Sequence, residues 1–134
     1  MTTITIGEVM TPDPITISAD TALDEAQKLM IARRLRHLPV MDGERLMGVV
    51  SDRDIYLAQI TNRDLDDFSS LQVGDVCSLD AYAVESNSTL AEVSSEMAKR
   101  QIGSALIVDG GKLSGIFTAT DACRHLGRQL QAVG

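Results

Sequence analysis

Apolar and polar positions follow a pattern that runs along this chain twice. Leu23, Ala26, Leu29 and Met30 fall at helical spacing, and Leu90, Val93 and Met97 repeat it in the second half. Ahead of each lies a short apolar run, Ile15-Thr16-Ile17 and Tyr82-Ala83-Val84, read as a strand. After each comes a run dense enough in apolar residues for a buried strand, His37-Leu38-Pro39-Val40-Met41 and Ser104-Ala105-Leu106-Ile107-Val108. Asp42-Gly43 and Asp109-Gly110 supply turns into hairpin partners at Arg45 to Val50 and Lys112 to Phe117. A second helix is predicted to begin near Ser51 in one half and Thr118 in the other. Asp20 or Thr21, and Asn87 or Ser88, are the candidate N-caps of the first helices, because short polar side chains accept from the free N–H groups there.

The two patterns are copies. A displacement of 67 residues sets Val9 on Val76 and continues without a gap to Asp54 on Asp121. Leu23/Leu90, Glu25/Glu92, Met30/Met97, Arg33/Arg100, Asp42/Asp109, Gly43/Gly110 and Gly48/Gly115 are identical pairs, and Ile17/Val84, Val40/Ile107 and Ser51/Thr118 keep their character. So long an ungapped register marks a duplication. Each copy reads β-α-β-β-α, over residues 7–60 and 73–127, joined by a solvated connection at 61–72 that holds Asp64, Asp66 and Asp67. A single copy of roughly 50 residues buries little core, so the two are expected to pack together as one α/β (α+β) module with pseudo-two-fold symmetry.

Composition narrows the function classes. With 134 residues, 44% hydrophobic and 23% charged, the chain has the profile of an ordinary globular protein. No apolar run approaches the roughly 20 residues needed to span a bilayer, and Met1 to Ile6 lack the basic start and apolar stretch of a signal peptide. The expectation is a cytoplasmic protein without membrane association. A net charge of −7 and a pI of about 4.6 argue against nucleic acid and against anionic lipid. With no Trp and 3% aromatic residues, stacking platforms for single strands are missing. Cys77 and Cys123 stand far apart with no pairing pattern and are read as small core or near-surface residues.

Three pieces of the first copy carry a family resemblance: Val9-Met10-Thr11-Pro12, Arg36-His37-Leu38-Pro39-Val40, and Gly48-Val49-Val50-Ser51-Asp52-Arg53-Asp54-Ile55. The second copy answers with Gly115-Ile116-Phe117-Thr118-Ala119-Thr120-Asp121-Ala122. Over residues 7–126 the chain resembles a tandem pair of CBS (cystathionine-β-synthase) motifs, often called a Bateman module. The resemblance implies two related clefts between the motifs that bind adenosyl compounds of the AMP, ADP or ATP type. It also implies a flat homodimer, an unidentified protein effector that receives the signal, and no cofactor beyond the adenosyl ligand. With no catalytic or transport domain attached, the chain looks like a stand-alone member.

The resemblance assigns residues. Asp54 and Asp121 stand where a carboxylate accepts hydrogen bonds from the two ribose hydroxyls. Ser51 and Thr118, three residues earlier, sit at helix starts, where hydroxyl and free N–H groups receive ribose or phosphate oxygens. Arg36, His37 and Arg53 lie at phosphate positions in the first copy, where the second has Gly103, Ser104 and Thr120. The adenine slot is expected from Ile15, Ile17, Pro39 and Val40 in one copy and Tyr82, Val84 and Leu106 in the other. Ser/Thr-x-x-Asp is also close to a helix capping box, so capping and ligand binding both remain open for these pairs.

Nothing points to an enzyme. His37 and His125 have neither a nearby nucleophile nor a metal-ligand spacing, and no phosphate-cradling Gly-rich loop is present. The alternative to a ligand sensor is a structural dimerisation module whose clefts are vestigial.

Overall fold

Two hairpins organise the chain, and both form where the Asp-Gly turns predict them. The computed structural model describes residues 3–62 and 70–133. Most of the expected connection, with Asp64, Asp66 and Asp67, lies outside the described residues. The elements in chain order are α1 (Ile6–Val9), β1 (Thr11–Pro12), β2 (Ile17–Ser18), α2 (Leu23–Arg33), β3 (His37–Asp42), β4 (Arg45–Ser51) and α3 (Asp52–Thr61). They continue with α4 (Val73–Val76), β5 (Ala83–Val84), α5 (Leu90–Arg100), β6 (Ser104–Asp109), β7 (Lys112–Thr118) and α6 (Ala119–Val133). The fold is α+β.

The chain forms two compact units, and they are offset from the sequence copies. One unit is Ile15–Ala81; the other combines Met1–Pro14 with Tyr82–Gly134. The leading segment of each copy is thus built into the unit formed by the other copy's sheet and helices. In the first unit the sheet runs β2-β3-β4, with β2 parallel to β3 and β3 antiparallel to β4. In the second it runs β1-β7-β6-β5, and β1 pairs antiparallel with β7. Both hairpins carry a register shift at the equivalent step, Val40/Met41 and Ile107/Val108.

The crossed segments correct the expected N-caps. The cap positions are Ala22 and Thr89, one residue beyond Thr21 and Ser88, and only Thr89 accepts with its side chain, from Glu92 N–H. Backbone replaces the missing cap. Leu23 N–H donates to Leu71 O at 3.1 Å, and Val73 N–H donates to Thr21 O at 2.9 Å. The second unit repeats the exchange, with Leu90 N–H on Ile4 O at 2.8 Å and Ile6 N–H on Ser88 O at 2.7 Å. A free N–H at each helix start is satisfied by the chain that leads into the other copy, so a polar side chain at Asp20 or Asn87 is not needed.

Each unit has its own core. Leu23, Ala26, Met30, Leu38, Val40, Val50, Ile55 and Val73 fill one; Ile6, Val93, Met97, Ala105, Ile107 and Phe117 fill the other. Phe117 and Ile6 are wholly buried, each contributing about 1.5–3 kcal/mol by removal from water. Of the helical apolar positions read from the sequence, Leu23, Ala26, Met30, Val93 and Met97 are buried, while Leu29 and Leu90 are half-buried against the two cores.

Candidate functional site

The hairpin strands β4 and β7 end at Ser51 and Thr118, and a helix follows each directly. The chain must therefore turn from extended to helical backbone at those two residues, where a hydroxyl and a carboxylate three residues apart can close on each other. They do so in both units. Asp54 N–H donates to Ser51 Oγ at 3.0 Å, and Ser51 N–H donates to Asp54 Oδ2 at 2.8 Å. Thr118 N–H donates to Asp121 Oδ2 at 3.0 Å, and Asp121 N–H donates to Thr118 Oγ1 at 3.2 Å. The capping role is present twice, and it fixes the orientation of each carboxylate at its helix start.

Beyond the caps the two carboxylates differ. Asp121 Oδ1 accepts from Arg124 Nη1 at 3.0 Å, and Thr11 Oγ1 lies 3.5 Å from Asp121 Oδ2. Asp54 Oδ1 has no hydrogen-bond partner among the described residues, because the position equivalent to Arg124 is Leu57.

His37 begins β3 and is paired in register with Ser51, which brings it beside the first cap. Burial lowers the pKa of its imidazole below the ordinary 6.5, the nearby Asp52 and Asp54 oppose that shift, and Arg36 adds to it. The net direction is down, so the ring is neutral at neutral pH. Arg36 accepts Asp52 N–H through its carbonyl at 2.9 Å. It lines a groove of about 390 Å³ between α2 and α3, together with Arg34, Met30, Ile31 and Ile55. Arg53 is exposed, and its side chain makes no ion pair among the described residues. His37 and Ser51 are thus brought together, whereas Arg36 borders the groove on the helix side.

The expected adenine-slot residues divide by burial. Ile17 and Val40 are neighbours in register, and their side chains belong to the core. Val84 packs partly against the other core. Pro39 and Leu106, at equivalent positions of the two copies, are buried but stand outside both clusters, as strand alternation requires of residues between two core-facing neighbours. Ile15 is exposed at 37%. Tyr82 is half-buried, and the Arg100 guanidinium covers its ring at 4.5 Å from the centroid.

Two residues near the caps escaped sequence reasoning. Thr11 lies on β1 and approaches Asp121, and its equivalent Ser78 bridges to Val49 on β4. Both come from the crossed segments, and the repeat of Gly48 and Gly115 was the signal that could have found them. A Cβ on Gly48 would collide with Ser78 O, and one on Gly115 would meet Met10 Sδ and, at 2.8 Å, Thr11 O. The backbone these glycines admit is that of the crossing segment. Cys77 is partly buried and Cys123 exposed; both are free thiols. Among the described residues no His, Cys, Asp and Glu group could hold a metal ion, and no helix is long and apolar enough to cross a membrane.

Comparison with known proteins places this geometry. The CBS domain family matches residues 6–60 and 73–128. An inosine-5'-monophosphate dehydrogenase of Korarchaeum cryptofilum is 34% identical over 110 residues, covering 81% of this chain and 21% of the enzyme. The chain spans 21–45% of the length of the first curated relatives it matches. The AcuB protein of Vibrio cholerae has a similar crystal structure, with a TM-score of 0.86 and 30% identity, covering 97% of this chain and 95% of that one. CBSX2, solved in complex with AMP, has a TM-score of 0.82 and 26% identity, covering 96% and 98%.

Proposed function

This chain belongs to the CBS domain family, and we propose that it is a regulatory module that binds an adenosyl compound and signals the bound state to a protein partner. One observation carries the reading: Asp54, oriented by its cap, keeps Oδ1 without a partner among the described residues, beside His37 and Ser51. A carboxylate held with a spare oxygen suits a ribose hydroxyl. The likeness to CBSX2, solved with AMP, supports an adenosyl ligand over other ribosides. The dehydrogenase relative, which contains the matching segment within a longer chain, supports a role alongside a catalytic partner.

In this reading Asp54 and Ser51 take the ribose of the first copy, and Thr118 and Asp121 that of the second. Ser78 and Thr11 join them. Arg36 and Arg53 supply positive charge for phosphate, and His37, kept neutral by burial, donates a hydrogen bond there. Ile15 and Pro39 offer apolar surface to an adenine in the first copy, and Tyr82 and Leu106 in the second. The module has no catalytic residue and no resident cofactor, and it works in the cytoplasm. Exposed Tyr56, Leu57 and Ile60 on α3, and Leu126, Leu130 and Val133 on α6, support a homodimer.

The test is a thermal-shift panel of AMP, ADP, ATP, S-adenosylmethionine, NAD(H) and cyclic di-AMP. A ligand present at 100 times its Kd stabilises the native state by about 2.7 kcal/mol, which raises the Tm measurably. If none shifts the Tm and calorimetry is also silent, the chain is a dimerisation module with vestigial clefts.

A further inference from the structure

The two copies present unequal recognition groups, and arginines of the second copy account for the inequality. A carboxylate offers about four acceptor positions on its two oxygens. Asp121 commits Oδ2 to Thr118 N–H and Thr11 Oγ1, and Oδ1 to Arg124. Its side chain is 11% exposed under an Arg124 side chain that is 54% exposed. At the equivalent place in the first copy stands Leu57, which has no donor, and Asp54 accepts only Ser51 N–H among the described residues.

The same inequality holds at the adenine-slot positions. Tyr82 carries the Arg100 guanidinium over its ring, and Arg100 is steadied there by Glu96 at 2.7 Å. At the equivalent of Tyr82 the first copy has Ile15, with no ring for the equivalent Arg33 to cover. In the second copy both expected nucleoside contacts are therefore engaged by arginines of the same unit.

Building on the adenosyl-binding reading above, we infer that Arg124, seconded by Arg100, latches the second copy, leaving Asp54 in the first copy as the primary ribose-binding carboxylate. A ribose hydroxyl reaching Asp121 must displace or share a charge-assisted hydrogen bond, while one reaching Asp54 finds an oxygen with no partner among the described residues. Arg124 is a specificity-determining residue, set by a substitution between copies at the position three residues after the ribose carboxylate.

The experiment is calorimetric titration of the full chain with adenosine, which carries no phosphate to draw the arginines away. Asp54→Asn is expected to remove the tighter of the wild-type binding events, leaving residual binding weaker by roughly threefold or more. Arg124→Leu, which installs the first-copy residue, should tighten the Asp121-dependent site by roughly threefold or more, the order of one exposed ion pair. Arg124→Gln guards against an effect of added apolar surface and should act in the same direction. The inference is overturned if adenosine binds but both Arg124 variants leave affinity and stoichiometry unchanged, or if Asp121→Asn, and not Asp54→Asn, abolishes wild-type binding. If neither the wild type nor any variant takes up adenosine or AMP, the adenosyl reading itself falls, and the latch with it.

Discussion

The backbone carbonyl of Ser78 lies against the Cα of Gly48 so closely that any side chain at residue 48 would collide with it. Strand β4 and the segment at Ser78 are joined there by Val49 N–H on Ser78 O at 3.1 Å and Ser78 N–H on Val49 O at 2.8 Å. Gly115 meets Thr11 in the same way. These contacts lock the crossed segments into the units that hold the caps. Gly48→Ala and Gly115→Ala should each cost about 1–3 kcal/mol in urea unfolding, because backbone must shift to admit the methyl group. Gly127→Ala is the control: it lies inside α6 with open space around it and should be neutral or stabilising by up to about 1 kcal/mol. Equal midpoints for Gly48→Ala and wild type would contradict the packing.

Asp109 ties one loop of the second unit together. Its carboxylate accepts Ser86 N–H at 2.9 Å, Ser86 Oγ at 3.1 Å and Ser114 Oγ at 2.8 Å. In the first copy Ala19 and Met47 stand in place of those serines, and Asp42 makes no such hydrogen bonds among the described residues. Asp109→Ala should lower the Tm clearly and Asp42→Ala should not. The hydrogen bonds, that of Ser86 N–H foremost, lower the Asp109 pKa from 3.8. Its contribution is present above 3.8 and is lost as pH falls through the lower folded value. The wild type and Asp109→Ala should therefore converge in strong acid.

His37 acts in the opposite pH sense to a salt-bridged histidine. Burial lowers its folded pKa below 6.5, so below that pH the unfolded chain binds more protons than the folded one. Stability should fall as pH drops from 6.5 towards the lower folded value, and this component should be absent in His37→Asn. Identical pH dependence of the urea midpoint in the two proteins between pH 8 and pH 5 would show that His37 is not held neutral.

The exposed apolar residues of α6 offer a direct test of assembly. Leu126, Leu130 and Val133 are 58%, 64% and 88% exposed on a helix with no buried residue. Leu126→Glu with Leu130→Glu should convert a dimer to a monomer in light scattering without lowering helix content. An unchanged mass would move the interface elsewhere.

Much of the fold was legible because the repeat doubled every signal. The hairpins at Asp42-Gly43 and Asp109-Gly110, and the helix starts after Ser51 and Thr118, fall where the pattern places them. The short helices Ile6–Val9 and Val73–Val76 and the exchange of leading segments were not legible. They depend on pairings such as Thr5 with Thr89 and Ala22 with Gln72, far apart in sequence and carried by backbone. The same exchange hid the true caps at Ala22 and Thr89. At the site, Ser51, Asp54, Thr118 and Asp121 stood out by recurrence, whereas Arg124 did not, since an arginine at that position has meaning only once its guanidinium is seen on Asp121. Ile17 and Val40 mark the limit of the pattern: an apolar strand residue reads alike whether it faces a ligand or the core, and both belong to the core of the first unit.

Adenosyl binding through the capped carboxylates is tested most directly by calorimetric titration of AMP into the wild type and the double variant Asp54→Asn, Asp121→Asn. Asparagine keeps an acceptor for the cap N–H groups, so the fold should survive while the charged ribose acceptors are removed. Saturable binding to the wild type and a loss of at least about tenfold in affinity in the double variant is the predicted result. Equal affinity in both proteins would contradict it.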